Sequence, residues 1–256
     1  MHSYRTSVQN AWQSAFSENV RFQIESVLSI ALLILLLIGV SRFFLWVETR
    51  PGVVVSDPLL ALFHARFLTW VTFSFIYGAL FLAIVSLLQT PVNFIQAIQS
   101  YIVLTLFRVV LMWSLPLDPP LTAIPLSDPF VEVLGTGKLL TKDLFFSGHT
   151  SFMFLLYLVC NTKLRTIFLL STLAVGACVL MQHVHYTVDV LVAPFIAYGS
   201  FRLVKKINYC FSGQNCKPSG DISHQNRDTK AKLPGGEKRR LSFLHILKIP
   251  RPVSKT

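Results

Sequence analysis

The chain has 256 residues, of which 53% are hydrophobic and 14% charged, and it carries a net charge of +11. A soluble domain has about a quarter of its residues charged, so the composition excludes an ordinary water-soluble globule and makes the bilayer the solvent. The basic excess is concentrated: positions 205–256 hold 12 Lys and Arg against 3 Asp and Glu, a balance suited to anionic lipid headgroups beside a membrane helix. It lacks the aromatic interleaving of a nucleic-acid module, and no nucleic-acid partner is expected.

Positions 1–26 are mostly polar and read as a cytosolic N-terminal segment. Helices of about 20 apolar residues span a bilayer, and that criterion predicts six crossings at 27–47, 67–88, 95–115, 145–160, 166–182 and 186–204. The fourth is short and opens on the polar residues Ser147, His149 and Thr150, so its start is expected below the membrane surface. The fold class is therefore all-α: a polytopic membrane protein with a six-transmembrane-helix bundle across 27–204. The basic tail, 205–256, is expected to be disordered and cytosolic. The connection 116–143 holds five prolines, including Pro116, Pro119 and Pro120, and has the length of a lid or binding element.

Lys and Arg favour the cytosolic side. With both termini inside, the inside segments hold 16 of these residues and the outside loops 4. The starts of the fourth and sixth crossings then face the same, non-cytosolic side at the same depth. Cys160 and Cys178 lie in apolar runs and read as packed small hydrophobes; Cys210 and Cys216 follow the last run and read as free thiols on a reducing side.

The chemistry sits at those two starts. His185 and Asp189 are four apart, so a helix puts them on one face. The carboxylate can take the Nδ1 proton and leave Nε2 as a nucleophile. Ser147 reads as an N-cap, Gly148 as a place for close backbone approach, and the free amides of the helix start as a site for an anionic phosphate. His149 can protonate a leaving oxygen. Metal binding by His149, His183, His185 and Asp189 is the rival reading. It is disfavoured because His183 and His185 would point to different helix faces. No metal or cofactor is expected.

The stretches Phe146-Ser147-Gly148-His149-Thr150 and His185-Tyr186-Thr187-Val188-Asp189-Val190 resemble the sphingomyelin synthase family, which is related to the type 2 phosphatidic acid phosphatases. The resemblance covers roughly residues 100–204. It implies a phosphotransferase that takes a phospho-headgroup from a glycerophospholipid onto a histidine, here His185, and passes it to a lipid alcohol such as ceramide. By the same resemblance His149 is the acid/base and Asp189 orients His185. Substrate contacts are expected from Ser147, Gly148, Arg108, Asp143, Tyr186 and His183. Arg108 precedes Leu115-Pro116-Leu117-Asp118, which is similar to an Arg…Leu-Pro region of the family; the alternative for Arg108 is snorkelling to the interface.

The departures are informative. Thr141-Lys142-Asp143 stands where the family commonly reads Cys-Gly-Asp, and Cys178-Val179 stands where the phosphatase branch has Ser-Arg. The expected partners are a phospholipid donor, a lipid-alcohol acceptor and anionic lipids at the tail, with homo-oligomerisation left open. A phosphatase or phospholipase C-like hydrolase using the same residues is the second reading. A lipid-binding protein without catalysis is the third.

Overall fold

The computed structural model describes residues 2–127, 140–160 and 164–211, all within a compact unit that spans Met1–Asn215. The described residues are helical apart from their connections, and no strand is formed among them. The helices are α1 (His2–Glu18), α2 (Val20–Thr49), α3 (Thr69–Leu87), α4 (Pro91–Ser114), α5 (Gly148–Val159), α6 (Arg165–Met181) and α7 (Thr187–Phe211). Six of the seven coincide with the expected crossings. Four of them, α2, α3, α4 and α7, are long and apolar enough to cross a membrane; α5 and α6 are shorter apolar helices of 12 and 17 residues. At 1.5 Å per residue α5 covers only about 18 Å. The chain is a multi-pass helical membrane protein.

The sequence reading placed the start of the first long helix at 27, and α2 begins at Val20, where Asn19 caps it by accepting from the Phe22 amide. The N-terminal segment is itself a helix. Trp12 anchors it, donating its indole N–H to the Leu88 carbonyl at 2.8 Å and packing among Phe16, Phe22 and Phe94. Arg21 reaches the other way and donates to the Asn208 and Phe211 carbonyls at the end of α7. One end of the bundle therefore gathers α1, the α3–α4 turn and the end of α7. The proposed catalytic residues lie at the opposite end. Helix α7 runs past the expected membrane boundary at 204, to Phe211.

The core is built around α5. It packs most extensively on α6 and α7, and α4 crosses α7 beside it. Small residues allow this: Ala193 and Ala197 of α7 are fully buried, and a Cβ on Gly176 of α6 would touch Val190 and Thr150. Without a hydrophobic force between lipid-soaked helices, such close packing is what holds them. Helix α2 touches mainly α4, and its outward Ile, Leu and Val side chains are exposed as a lipid-facing surface.

The outer ends are tied by loops. Val53 and Leu117 form a parallel bridge, and Gly52 lies so near the Leu117–Asp118 backbone that a Cβ would collide with it. Gln182 is fully buried: it accepts from the Leu68 amide, and its two amide hydrogens are shared among Thr69 Oγ1 and the Ile124 and Pro125 carbonyls. Cys210 is disulfide-bonded, so it is not the free thiol that the reducing-side reading expects. The tail beyond 211 and residues 128–139 of the Pro-rich connection, on which the disorder and lid expectations rest, lie outside the described residues.

Candidate active site

Residues 144–147 approach α5 as an irregular segment, and Ser147 caps the helix by accepting from the Thr150 amide at 3.4 Å. The Ser147 amide donates to the Asp189 carbonyl at 3.1 Å. This one bond pins the start of α5 to the first turn of α7. It brings together two motifs that are far apart in the chain.

His149, at the second position of α5, faces His185 with ring centroids 6.2 Å apart and planes at 62°. Phe73 of α3 packs edge-on against His149. His185 Nδ1 lies 3.5 Å from Asp189 Oδ2, with both side chains almost wholly buried. That separation is an ion-pair contact rather than a formed hydrogen bond, and apo sites often tighten on binding. The geometry arises differently from the expected shared helix face. His185 precedes α7, and Asp189 Oδ2 accepts the Tyr186 amide at 3.2 Å, which folds the 185–186 turn back over the carboxylate. Asp189 Oδ1 has no hydrogen-bond partner among the described residues.

Arg108 is held by a carboxylate. Its guanidinium makes a two-pronged ion pair with Asp143, Nε to Oδ1 at 3.0 Å and Nη2 to Oδ2. It sits so tightly on Gly148 that any Cβ there would overlap it. The absence of a side chain at 148 thus admits a cation, where the sequence alone suggested room for a ligand. A guanidinium beside the positive end of a helix is repelled by that end's dipole. The Asp143 carboxylate offsets that repulsion through its two contacts with the guanidinium. Asp143 is therefore the holder of the cation.

The remaining expected contacts divide. Tyr186 is buried with its hydroxyl committed: it donates to the Asp118 carbonyl at 2.8 Å and accepts from the Val55 amide at 3.1 Å. Burial pushes its pKa up; the Val55 hydrogen bond opposes this, and the charges of Asp189, Asp118 and Asp57 push it up further. His183 stands in the left-handed region at φ 56 and turns its ring away, onto Phe63, with Nδ1 2.6 Å from Thr122 Oγ1. It lines a separate cavity between the outer loops. Burial lowers its pKa; Asp57 pulls it back up, and His64 lowers it further. No group of three or more His, Cys, Asp or Glu among the described residues is arranged to hold a metal ion.

Two further carboxylates support the site from distant parts of the chain. Asp57, from the α2–α3 loop, accepts the Thr187 amide at 2.6 Å and its hydroxyl at 3.0 Å, capping α7 from outside the helix. Burial would raise the Asp57 pKa, but these bonds and those from the Leu59 and Leu60 amides hold it below the ordinary value. Glu48, at the end of α2, accepts from the amides of Thr141 and Lys142, at 2.6 and 2.7 Å, and from Thr141 Oγ1. Lys142 in turn pairs with Asp118 at 2.7 Å. The one sequence signal for Asp57 was an Asp-Pro step in a loop, which marks a turn but not its partner.

Residues 142–207 match the family model described as PAP2 superfamily C-terminal. The matched stretch contains His149, His185 and Asp189, along with Asp143. The match supports the type 2 phosphatidic acid phosphatase superfamily, whose members are phosphatases and phosphotransferases, and so an enzyme acting at a membrane.

Proposed function

We propose that the protein is a membrane lipid phosphotransferase, which moves a phospho-headgroup from a glycerophospholipid to a ceramide-like lipid alcohol through a phosphohistidine on His185. The observation that carries this reading is the facing pair of His149 and His185, with Asp189 behind one ring and the Arg108–Asp143 ion pair at the start of α5.

In the first step the donor phosphate sits against Arg108 and the α5 amides. The Nε2 lone pair of His185 attacks phosphorus, and the bond from phosphorus to the diacylglycerol oxygen breaks. His149 gives its proton to that oxygen. Asp189 balances the positive charge on the phosphorylated ring. In the second step His149, now neutral, takes the proton of the lipid hydroxyl. The hydroxyl oxygen attacks phosphorus, the P–N bond breaks and His185 is regenerated. The two steps together return the protein groups to their starting charges.

The hydrolase reading uses the same groups with water as acceptor, and the superfamily match on 142–207 is compatible with either reading. Against it stands Cys178-Val179 in place of the phosphatase Ser-Arg: the cation suited to a phosphomonoester is missing there. The test offers purified protein a fluorescent ceramide together with phosphatidylcholine, phosphatidylethanolamine and phosphatidylinositol. A new fluorescent phospholipid that depends on His185 is expected, and its mass names the headgroup. Rapid phosphate release from phosphatidic acid, with no ceramide product, would replace this reading by the hydrolase.

A further inference from the structure

Helix α2 faces lipid along most of its length: Ile34, Leu35 and Ile38 are exposed. Its last turns differ. Val47 is buried there, and Phe44 and Glu48, four residues apart and so on one helix face, both reach the cation of the site. Both lie outside the 142–207 stretch that the family model matches, as does Arg108 itself.

Phe44 acts on Arg108 directly. The guanidinium carbon lies 5.6 Å from the centroid of the Phe44 ring. A guanidinium this near an aromatic face is attracted by the ring quadrupole, more strongly where water is scarce, and the Arg108 side chain is only 17% exposed. Glu48 acts through the backbone. Its Oε1 accepts the Thr141 and Lys142 amides at 2.6 and 2.7 Å, and its Oε2 accepts the Thr141 hydroxyl at 3.0 Å. Among the described residues these two amides have no other acceptor. The next residue is Asp143, whose carboxylate takes Nε and Nη2 of Arg108. Arg50 completes the frame: it donates to the Met112 and Trp113 carbonyls, and its own carbonyl accepts from Lys142 Nζ. The end of α2 is thus fastened both to α4, which carries Arg108, and to the segment that carries Asp143.

An unrestrained arginine side chain samples many rotamers. Here Asp143 takes two of the three guanidinium nitrogens, and the Phe44 ring lies against the group. The third nitrogen, Nη1, rests against Gly148 at the start of α5 and has no acceptor among the described residues.

We propose that Phe44 and Glu48 are positioning residues for Arg108: the ring holds the guanidinium directly, the carboxylate holds it through Asp143, and together they keep Nη1 at the start of α5. That Nη1 meets the donor phosphate there rests on the phosphotransferase reading; how Arg108 is held does not.

Phenylglyoxal, which modifies free guanidinium groups, tests the holding on the full chain in detergent, with no turnover needed. The rate at Arg108 is followed by peptide mass spectrometry. Phe44→Leu keeps an apolar side chain and removes the ring. Glu48→Gln keeps one acceptor oxygen and Glu48→Ala none. Arg108 should react about threefold faster in Phe44→Leu and about tenfold faster in Glu48→Ala, with Glu48→Gln in between. Phe44→Tyr, which keeps the ring, should match the unaltered protein. Arg21, paired with Glu25 on α2, is the internal control, and its rate should not change. In headgroup transfer the same variants should lower kcat/KM for the phospholipid donor by similar factors and leave the KM for ceramide unchanged. In an Arg108→Gln background they should lower it no further, because residues that act through one group do not add. Unchanged modification of Arg108 in both Phe44→Leu and Glu48→Ala, or equal gains at Arg21, overturns the positioning. So do losses of the same size with and without Arg108. Faster modification with unaltered donor kinetics keeps the positioning and removes Arg108 as the grip on phosphate. The expected modification rates in a protein that transfers nothing to ceramide keep it too, and remove the phosphotransferase.

Discussion

At the scale of single residues, the site depends on one missing side chain. Gly148→Ala must displace the Arg108 guanidinium from the start of α5. The fold has room to let Arg108 swing out, since it is partly exposed, so the protein should still assemble while turnover falls. Losing a preorganised charge at a reacting phosphate costs ~10²–10³-fold in rate, and headgroup transfer measured with Gly148→Ala and Arg108→Lys should fall in that range. Full activity in both would show that Arg108 is only a structural partner of Asp143. His183 yields a pH prediction. Its folded pKa lies below the ordinary 6.5 because burial disfavours the charged ring. The unfolded chain then binds the proton more readily. The contribution of His183 to stability is full above 6.5 and is lost as pH falls through the lowered value. Tm in detergent should drop between about pH 7 and about pH 5, the interval in which histidine ordinarily titrates. His183→Gln should flatten that drop. An identical slope in the variant would place the transition on other groups.

At the scale of elements, helix starts matter more than helix bodies. Helix α7 begins beneath Asp57, which occupies the place of an N-cap although it comes from another part of the chain. Asp57→Ala removes an acceptor of the first-turn amide, a loss of about 1 kcal/mol by analogy with ordinary caps. Because the same turn sets His185 over Asp189, activity should fall further than that loss of stability explains. The comparison of Tm with kcat in Asp57→Ala and Asp57→Asn decides it: a drop in Tm with unchanged kcat would leave Asp57 a purely structural cap. Helix α1 makes the opposite case. Trp12 holds it to the Leu88 carbonyl and to Phe94, at the end of the bundle away from the histidines. Trp12→Ala should cost on the order of 2 kcal/mol, less than a fully buried tryptophan because Trp12 is half-buried. Turnover per folded molecule should be retained.

At the scale of the whole molecule, the distribution of Lys and Arg predicts which side of the membrane each end faces. The bundle end that gathers α1 with its Arg5, Arg21 and the C-terminal end of α7 should face the cytosol, and the histidine pair the other side. Cysteines introduced at Gly137 and Lys230 in a background without other reactive thiols test it: an impermeant reagent on intact cells should label the first and not the second. The reverse pattern would invert the topology. Deleting 212–256 should weaken binding to anionic vesicles and leave transfer in detergent largely intact, because the described groups of the site all lie before that segment.

Much of this architecture was legible in the sequence. Helix positions follow from unbroken apolar runs, since a backbone in hydrocarbon must satisfy its own hydrogen bonds and the helix does so locally. The capping role of Ser147 and the nearness of His185 to Asp189 are also local, set by three or four residues of chain. The sequence also carried enough symmetry of direction to put the starts of α5 and α7 at one end. What it could not carry was every contact made between distant loops. Gly148 read as room for a ligand, and only packing revealed the Arg108 guanidinium there. Asp57 had no part in the sequence reading, and its partner Thr187 lies far along the chain. His183 read as a neighbour of the catalytic pair, and a left-handed backbone turned it to Thr122 and a cavity of its own. Short-range order is decided by hydrophobicity and hydrogen bonding along the chain. The cation, the cap and the second pocket depend on which surfaces meet after the helices have packed, and no local pattern records that.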